Sequence, residues 1–166
     1  VVSYMKRKGN PYTGVLYAGL IVTDSGIKVL EFNCRFGDPE TQVLLPRMKT
    51  DLLQIMIDTA MEDITKIEIE WDPRPCVGVV LASQGYPGSY ETNKQICGLD
   101  ELDSGVNLFH AGTSISDDSI VTNGGRVLAV TALGDSFSSA RDLIYKNINK
   151  IKFDGVFYRN DIAAGI

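Results

Sequence analysis

The sequence predicts an α+β protein, with antiparallel strands and short helices first and a small β-rich part covered by one helix second. Three observations carry this. Two runs rich in apolar, β-branched and aromatic residues, 12–22 and 27–33, flank Thr23-Asp-Ser-Gly26, whose turn chemistry joins them as a hairpin. Asp72-Pro-Arg-Pro75 stops the alternating apolar and acidic run Ile67–Trp71, and beyond it the texture changes to short strands and glycine-rich turns. Phe137, Ala140, Leu143, Ile144 and Ile148 form one helical stripe behind a cap at Asp135/Ser136, as expected of a helix lying on a sheet.

Taken in order, residues 1–8 read as a helix end closed by Gly9-Asn-Pro11. Tyr12–Val22 is expected to be a buried strand, with Ala18 and Gly19 allowing close backbone packing. In Ile27–Asn33, Leu30 and Phe32 are expected to face a core. Asp38-Pro-Glu40 suits a helix start, through a capping carboxylate, a proline at the first position and an acid at the positive end. Pro46 ends or kinks that helix, and a second helix from Thr50-Asp51 carries Leu52, Leu53, Met56, Ile57 and Ala60 as core filler. After the break come strands at Cys76–Ser83, Leu108–Thr113, Val127–Leu133 and Phe153–Tyr158, with a tight turn at Gly85-Tyr-Pro-Gly88.

Composition sets outer limits. In 166 residues, 44% hydrophobic and 22% charged residues are ordinary for a globular protein. The net charge of −5 gives no electrostatic case for nucleic acid or an anionic membrane. No apolar run approaches the roughly 18 residues of a membrane span. Cys34, Cys76 and Cys97 lack paired metal-ligand spacing and read as free thiols of a cytoplasmic protein, with Cys34 packed away from Glu31. The absence of an initiating Met suggests a piece of a longer chain.

The chemistry concentrates at Val29-Leu-Glu-Phe-Asn-Cys-Arg-Phe-Gly-Asp-Pro-Glu40. Glu31, Asn33 and Arg35 alternate, so a strand presents a carboxylate, an amide and a guanidinium on one face, each roughly 7 Å from the next. Two oxygen ligands beside a cation suit Mg²⁺, which takes one or two protein oxygens and leaves its other positions to phosphates and water. A polar strand edge facing water explains the same pattern, because exposed ion pairs contribute only about 0–1 kcal/mol. His110, the only histidine, is either a structural group or a substrate contact. Thr122-Asn-Gly-Gly-Arg126 is either a hairpin turn with the Asn123-Gly124 signal or a backbone nest that, with Arg126, contacts a phosphate.

Pro11-Tyr-Thr-Gly-Val-Leu-Tyr-Ala-Gly-Leu20 followed by Val29–Gln42 closely resembles the phosphoribosylamine–glycine ligase (GAR synthetase) family of ATP-grasp enzymes. The likeness continues through Val79–Gly88, Phe109-His-Ala-Gly-Thr113, Val121–Thr131 and Tyr158-Arg-Asn-Asp-Ile162. It implies that residues 1–64 are the C-terminal piece of an ATP-grasp domain, 65–73 a linker and 74–166 the family's C-terminal domain. It implies Glu31 and Asn33 as ligands of Mg²⁺ (or Mn²⁺), with ATP as co-substrate. Arg35 becomes catalytic, offsetting charge in phosphoryl transfer or holding the glycine carboxylate. His110 and Arg126 become candidate substrate contacts. The implied partners are ATP, glycine, 5-phosphoribosylamine and the missing N-terminal part, whose absence should leave the chain alone inactive. The resemblance leaves the adenine-holding residues outside this chain. A biotin carboxylase-like ATP-grasp ligase shares Glu-x-Asn-x-Arg and is the second reading, and a non-catalytic assembly module the third. Phe36–Glu40 and the His-Ala-Gly-Thr block favour the purine enzyme. The chain departs from the family at its end, where Ala163-Ala-Gly-Ile166 lacks the family's arginine.

Overall fold

A computed structural model describes residues 1–62 and 64–166, without the Lys66 side chain. The chain divides into two compact units: Val1–Thr41 with Met48–Trp71, and Gln42–Arg47 with Asp72–Ile166.

In the first unit, helix α1 (Val2–Arg7) leads through Gly9, at φ 78°, to strands β1 (Tyr17–Thr23) and β2 (Gly26–Asn33). They pair antiparallel from Thr23↔Gly26 to Tyr17↔Asn33 around the two-residue turn Asp24-Ser25. Gly26, at φ 99°, adopts a backbone that other residues resist. The register shifts between Gly19 and Leu20, so that Gly19 faces Glu31 and Leu20 faces Val29, leaving Leu30 as the extra residue of a β-bulge.

Several expectations for this unit are corrected. The strand begins at Tyr17 rather than Tyr12, and Gly19 is its one buried residue. Leu30 and Phe32 do not enter a core; they are 67% and 48% exposed, and the hairpin leaves Leu20, Val22, Ile27 and Val29 open as well. Cys34 is exposed, not packed. Residues 38–40 form a turn, and helix α2 (Thr41–Leu44) starts after it because Thr41 N and Oγ1 both bond to the Gly37 carbonyl oxygen. A 3₁₀ turn, Leu45–Arg47, containing Pro46, ends it, and Gln42–Arg47 already count with the second unit. Helix α3 (Leu52–Ala60) is capped by Asp51, whose Oδ1 accepts from Leu53 N at 2.7 Å and Gln54 N at 3.3 Å. Its Leu53, Met56 and Ile57 are exposed instead of filling a core. An isolated bridge, Met48↔Trp71, closes the unit.

The second unit has the core. Strands β3 (Cys76–Ser83), β4 (Val106–His110), β7 (Arg126–Leu133) and β8 (Val156–Phe157) form an antiparallel sheet in the order β4-β7-β3-β8. Helix α4 (Phe137–Ile148) lies on β3 and β7, burying Ala140, Ile144 and Ile148 against the core that holds Val77, Val79 and Leu81. Each buried Leu, Ile or Val contributes about 1.5–3 kcal/mol. Ser136 and Ser139 form a reciprocal capping box at its start. Buried Asn147 accepts from Asp103 N at 2.8 Å, and Asp103 in turn accepts from Lys146 Nζ at 2.8 Å and Lys150 Nζ at 2.5 Å.

The expected strand 108–113 breaks after His110 and resumes as β5 (Thr113–Ser116), which pairs with β6 (Ser119–Thr122) in a separate hairpin. Asp117 and Asp118, at φ 46° and 60°, are that hairpin's turn residues. Asn123-Gly124 is therefore no hairpin turn: it carries the chain from β6 to β7, in another sheet.

Candidate active site

The β1–β2 hairpin positions the first set of residues. Glu31 and Asn33 stand on one face of β2, and Asn33 Nδ2 donates to Glu31 Oε1 at 2.8 Å. Gly19 lies across from Glu31, and a Cβ there would stand 3.0 Å from Glu31 Cγ. The expected row stops at Asn33, where the strand ends. Arg35 sits on the following bend, with Nη1 donating to the Phe36 carbonyl oxygen at 2.8 Å.

This donor pair fits a hard cation. Adjacent ligands of an octahedron with bonds of about 2.0–2.1 Å stand about 2.9 Å apart. The 2.8 Å Asn33–Glu31 contact matches that edge, since a half-turn of the amide exchanges its nitrogen for its oxygen. Among the described residues no group of three or more His, Cys, Asp or Glu side chains is placed to hold a metal.

Two residues that the sequence reading did not place at the site join it here. Tyr17, the register partner of Asn33, donates its hydroxyl to Glu40 Oε1 at 3.0 Å. This bond to Glu40, followed by burial and the charges of Glu40 and Glu31, pushes the Tyr17 phenol above its ordinary value. Counting register back from the Asp24-Ser25 turn puts Tyr17 opposite Phe32, not Asn33. The bulge upsets that count by one.

His110 and Arg126 lie at one end of the second unit's sheet. His110 ends β4, exposed, with Nδ1 3.0 Å from Thr113 Oγ1. Arg126 opens β7, and its carbonyl oxygen accepts from Gly112 N at 2.8 Å. Gly112 and Gly124 cross in contact: a Cβ on Gly112 would lie 2.6 Å from Gly124 Cα. Tyr86 and Tyr90 pack where a Cβ of Gly125 would be, with ring centroids 6.3 Å apart. Gly112, Gly124 and Gly125 thus all serve close packing. A cleft of about 360 Å³ opens beside Tyr90, lined also by Gln84, Glu91, Lys94 and Asp154. Glu31, Asn33 and Arg35 belong to the first unit, His110 and Arg126 to the second.

Comparison with known proteins identifies the family of the chain. The family described as "Phosphoribosylglycinamide synthetase, C domain" matches residues 76–165, and "Phosphoribosylglycinamide synthetase, ATP-grasp (A) domain" matches residues 1–41. The chain belongs to the phosphoribosylglycinamide synthetase family. This synthetase-family chain is 51% identical over 165 residues to a phosphoribosylamine–glycine ligase of Caldanaerobacter subterraneus subsp. tengcongensis, covering 99% of itself and 39% of that relative. It spans about two fifths of the length of the curated relatives it matches. The crystal structure of a phosphoribosylamine–glycine ligase from Thermotoga maritima aligns with a TM-score of 0.80 at 34% identity, over 95% of this chain and 39% of that one. The biotin carboxylase domain of a Hydrogenobacter thermophilus 2-oxoglutarate carboxylase aligns with a TM-score of 0.62 at 15% identity, over 93% of this chain and 34% of that one. That second likeness shows a shared fold alone, so the family match favours the synthetase over the biotin carboxylase-like alternative. Among the described residues no helix is long and apolar enough to cross a membrane.

Proposed function

We propose that the protein to which this chain belongs joins 5-phosphoribosylamine to glycine in the cytoplasm, converting ATP to ADP and phosphate. Residues 1–64 supply the end of the ATP-grasp domain, 65–73 a linker and 74–166 the C-terminal domain. A glycine carboxylate oxygen attacks the γ-phosphorus and ADP departs. The amine of phosphoribosylamine then attacks the acyl carbon of glycyl phosphate, and phosphate departs.

The observation that carries this reading is the Glu31–Asn33 pair, a carboxylate and an amide that meet on one strand face, Asn33 Nδ2 donating to Glu31 Oε1 at 2.8 Å, within a matched ATP-grasp segment. Glu31 and Asn33 would hold Mg²⁺ (or Mn²⁺), which would supply charge neutralisation for phosphoryl transfer. Arg35 offsets charge developing in the transfer or grips the glycine carboxylate, either of which suits a guanidinium fork. His110 and Arg126 contact the ribosylamine substrate from the C-terminal domain. The work is positioning and electrostatic stabilisation, with no covalent step through a protein side chain.

Glu31→Ala in the full-length ligase tests it, by ADP release with glycine and phosphoribosylamine present. The expected loss is on the order of 10²-fold, with the fold retained by circular dichroism. Undiminished turnover would remove Glu31 from the metal site.

A further inference from the structure

The proposed role of Arg35 leaves unexplained what keeps a residue beyond the end of its strand in one place. Arg35 lies on a bend, and its own side-chain bond is to the adjacent Phe36 carbonyl. The loop it sits on is anchored at both ends. On one side is Asn33, paired across the hairpin with Tyr17. On the other is Glu40, whose Oε1 accepts from that same Tyr17 hydroxyl at 3.0 Å. Between them, Gly37 is buried with its carbonyl oxygen taken by Thr41 N at 3.0 Å and by Thr41 Oγ1. The Glu40 carboxylate folds over Gly37 into the space that a Cβ would occupy.

We propose that Tyr17 and Glu40 are a positioning pair for Arg35: their hydrogen bond closes residues 33–40 onto β1 and holds the guanidinium-bearing bend beside the Glu31–Asn33 edge. Neither side chain is assigned contact with a reacting atom. Tyr17 reads the position of both ends of the loop through one ring, its backbone facing Asn33 and its hydroxyl holding Glu40. The proposal rests on the function proposed above, and its test separates the two.

The test uses full-length ligase with saturating glycine and phosphoribosylamine, titrated with Mg²⁺ and with ATP. Tyr17→Phe removes only the hydroxyl. It is expected to lower kcat about tenfold while the Mg²⁺ activation constant and the KM for ATP stay within a factor of two, because a misplaced group costs rate, not ligand binding. Glu40→Ala should match it, and Glu40→Gln, which keeps an acceptor oxygen, should recover most of the rate. In an Arg35→Ala background, Tyr17→Phe should cost nothing more, since residues acting through one group are not additive. Should Tyr17→Phe lower the yield of folded protein, the Glu40→Gln and Glu40→Ala comparison carries the same test. Wild-type kcat in Tyr17→Phe, or an equal further loss in the Arg35→Ala background, overturns the positioning pair while leaving a severe Arg35→Ala defect to support the site. A silent Arg35→Ala overturns both.

Discussion

Gly19 lies across the hairpin from Glu31, so closely that a Cβ at Gly19 would stand 3.0 Å from the Glu31 Cγ. The glycine therefore has a steric reason: it leaves the carboxylate stem room over β1. Valine suits a strand but fills that space. Gly19→Val in the full-length ligase should raise the Mg²⁺ activation constant about tenfold, the usual scale for disturbing a group that orients a metal ligand. A Mg²⁺ titration of ADP release checks it, with Gly19→Ala expected between Gly19→Val and wild type.

The crossing of Gly112 with Gly124 gives a stability prediction. A methyl group on Gly112 meets backbone, not the flexible end of a side chain. Gly112→Ala should destabilise the protein by about 1–3 kcal/mol. Chemical denaturation checks this; an unchanged midpoint would show that the two connecting segments can part without cost.

Asp103 gives a pH prediction. Hydrogen bonds from Lys146, then Lys150, hold its carboxyl well below the usual range. The unfolded chain takes up the proton near the ordinary aspartate value of about 3.9, while the folded carboxylate stays ionised. The contribution is therefore complete above that value and drains away as the pH falls below it towards the folded value. Urea midpoints measured on the two sides of the ordinary aspartate value should differ, and Asp103→Asn should reduce the difference.

The open hairpin predicts how the isolated chain behaves. Val22 and Ile27 are register partners at its tip, 81% and 67% exposed. An apolar patch of this kind promotes association. Size-exclusion chromatography of the chain alone should show self-association that weakens in Val22→Lys/Ile27→Lys. The same sample should release no ADP with all substrates present, because the chain spans about two fifths of the length of its curated relatives and orienting two reactants takes groups on both sides of them.

These residues also show what sequence could and could not reveal. The hairpin, its turn and the Glu31–Asn33 face were legible because a two-residue period and turn chemistry are local signals. The exposure of Leu30 and Phe32 was not, since an apolar pattern says that a face suits burial without saying what covers it. Asn123-Gly124 misled because the dipeptide also serves a close crossing, whereas the turn proper fell to Asp117 and Asp118 with no glycine to mark it. Tyr17 and Glu40 meet across 23 positions of sequence, a distance at which no local pattern pairs them.

Val43 is packed against Gly78, filling the place of a side chain on β3, and the Asp72 amide donates to the Arg47 carbonyl at 2.6 Å. The second unit is thus stitched from two stretches of chain, Gln42–Arg47 and Asp72–Ile166. Truncation at residue 72 would strip Val43 from the β3 surface and leave the Arg47–Asp72 link unmade. Anyone expressing this unit separately should retain 42–47 and can replace 48–71 with a short flexible bridge, whose length then becomes a handle on its cooperativity.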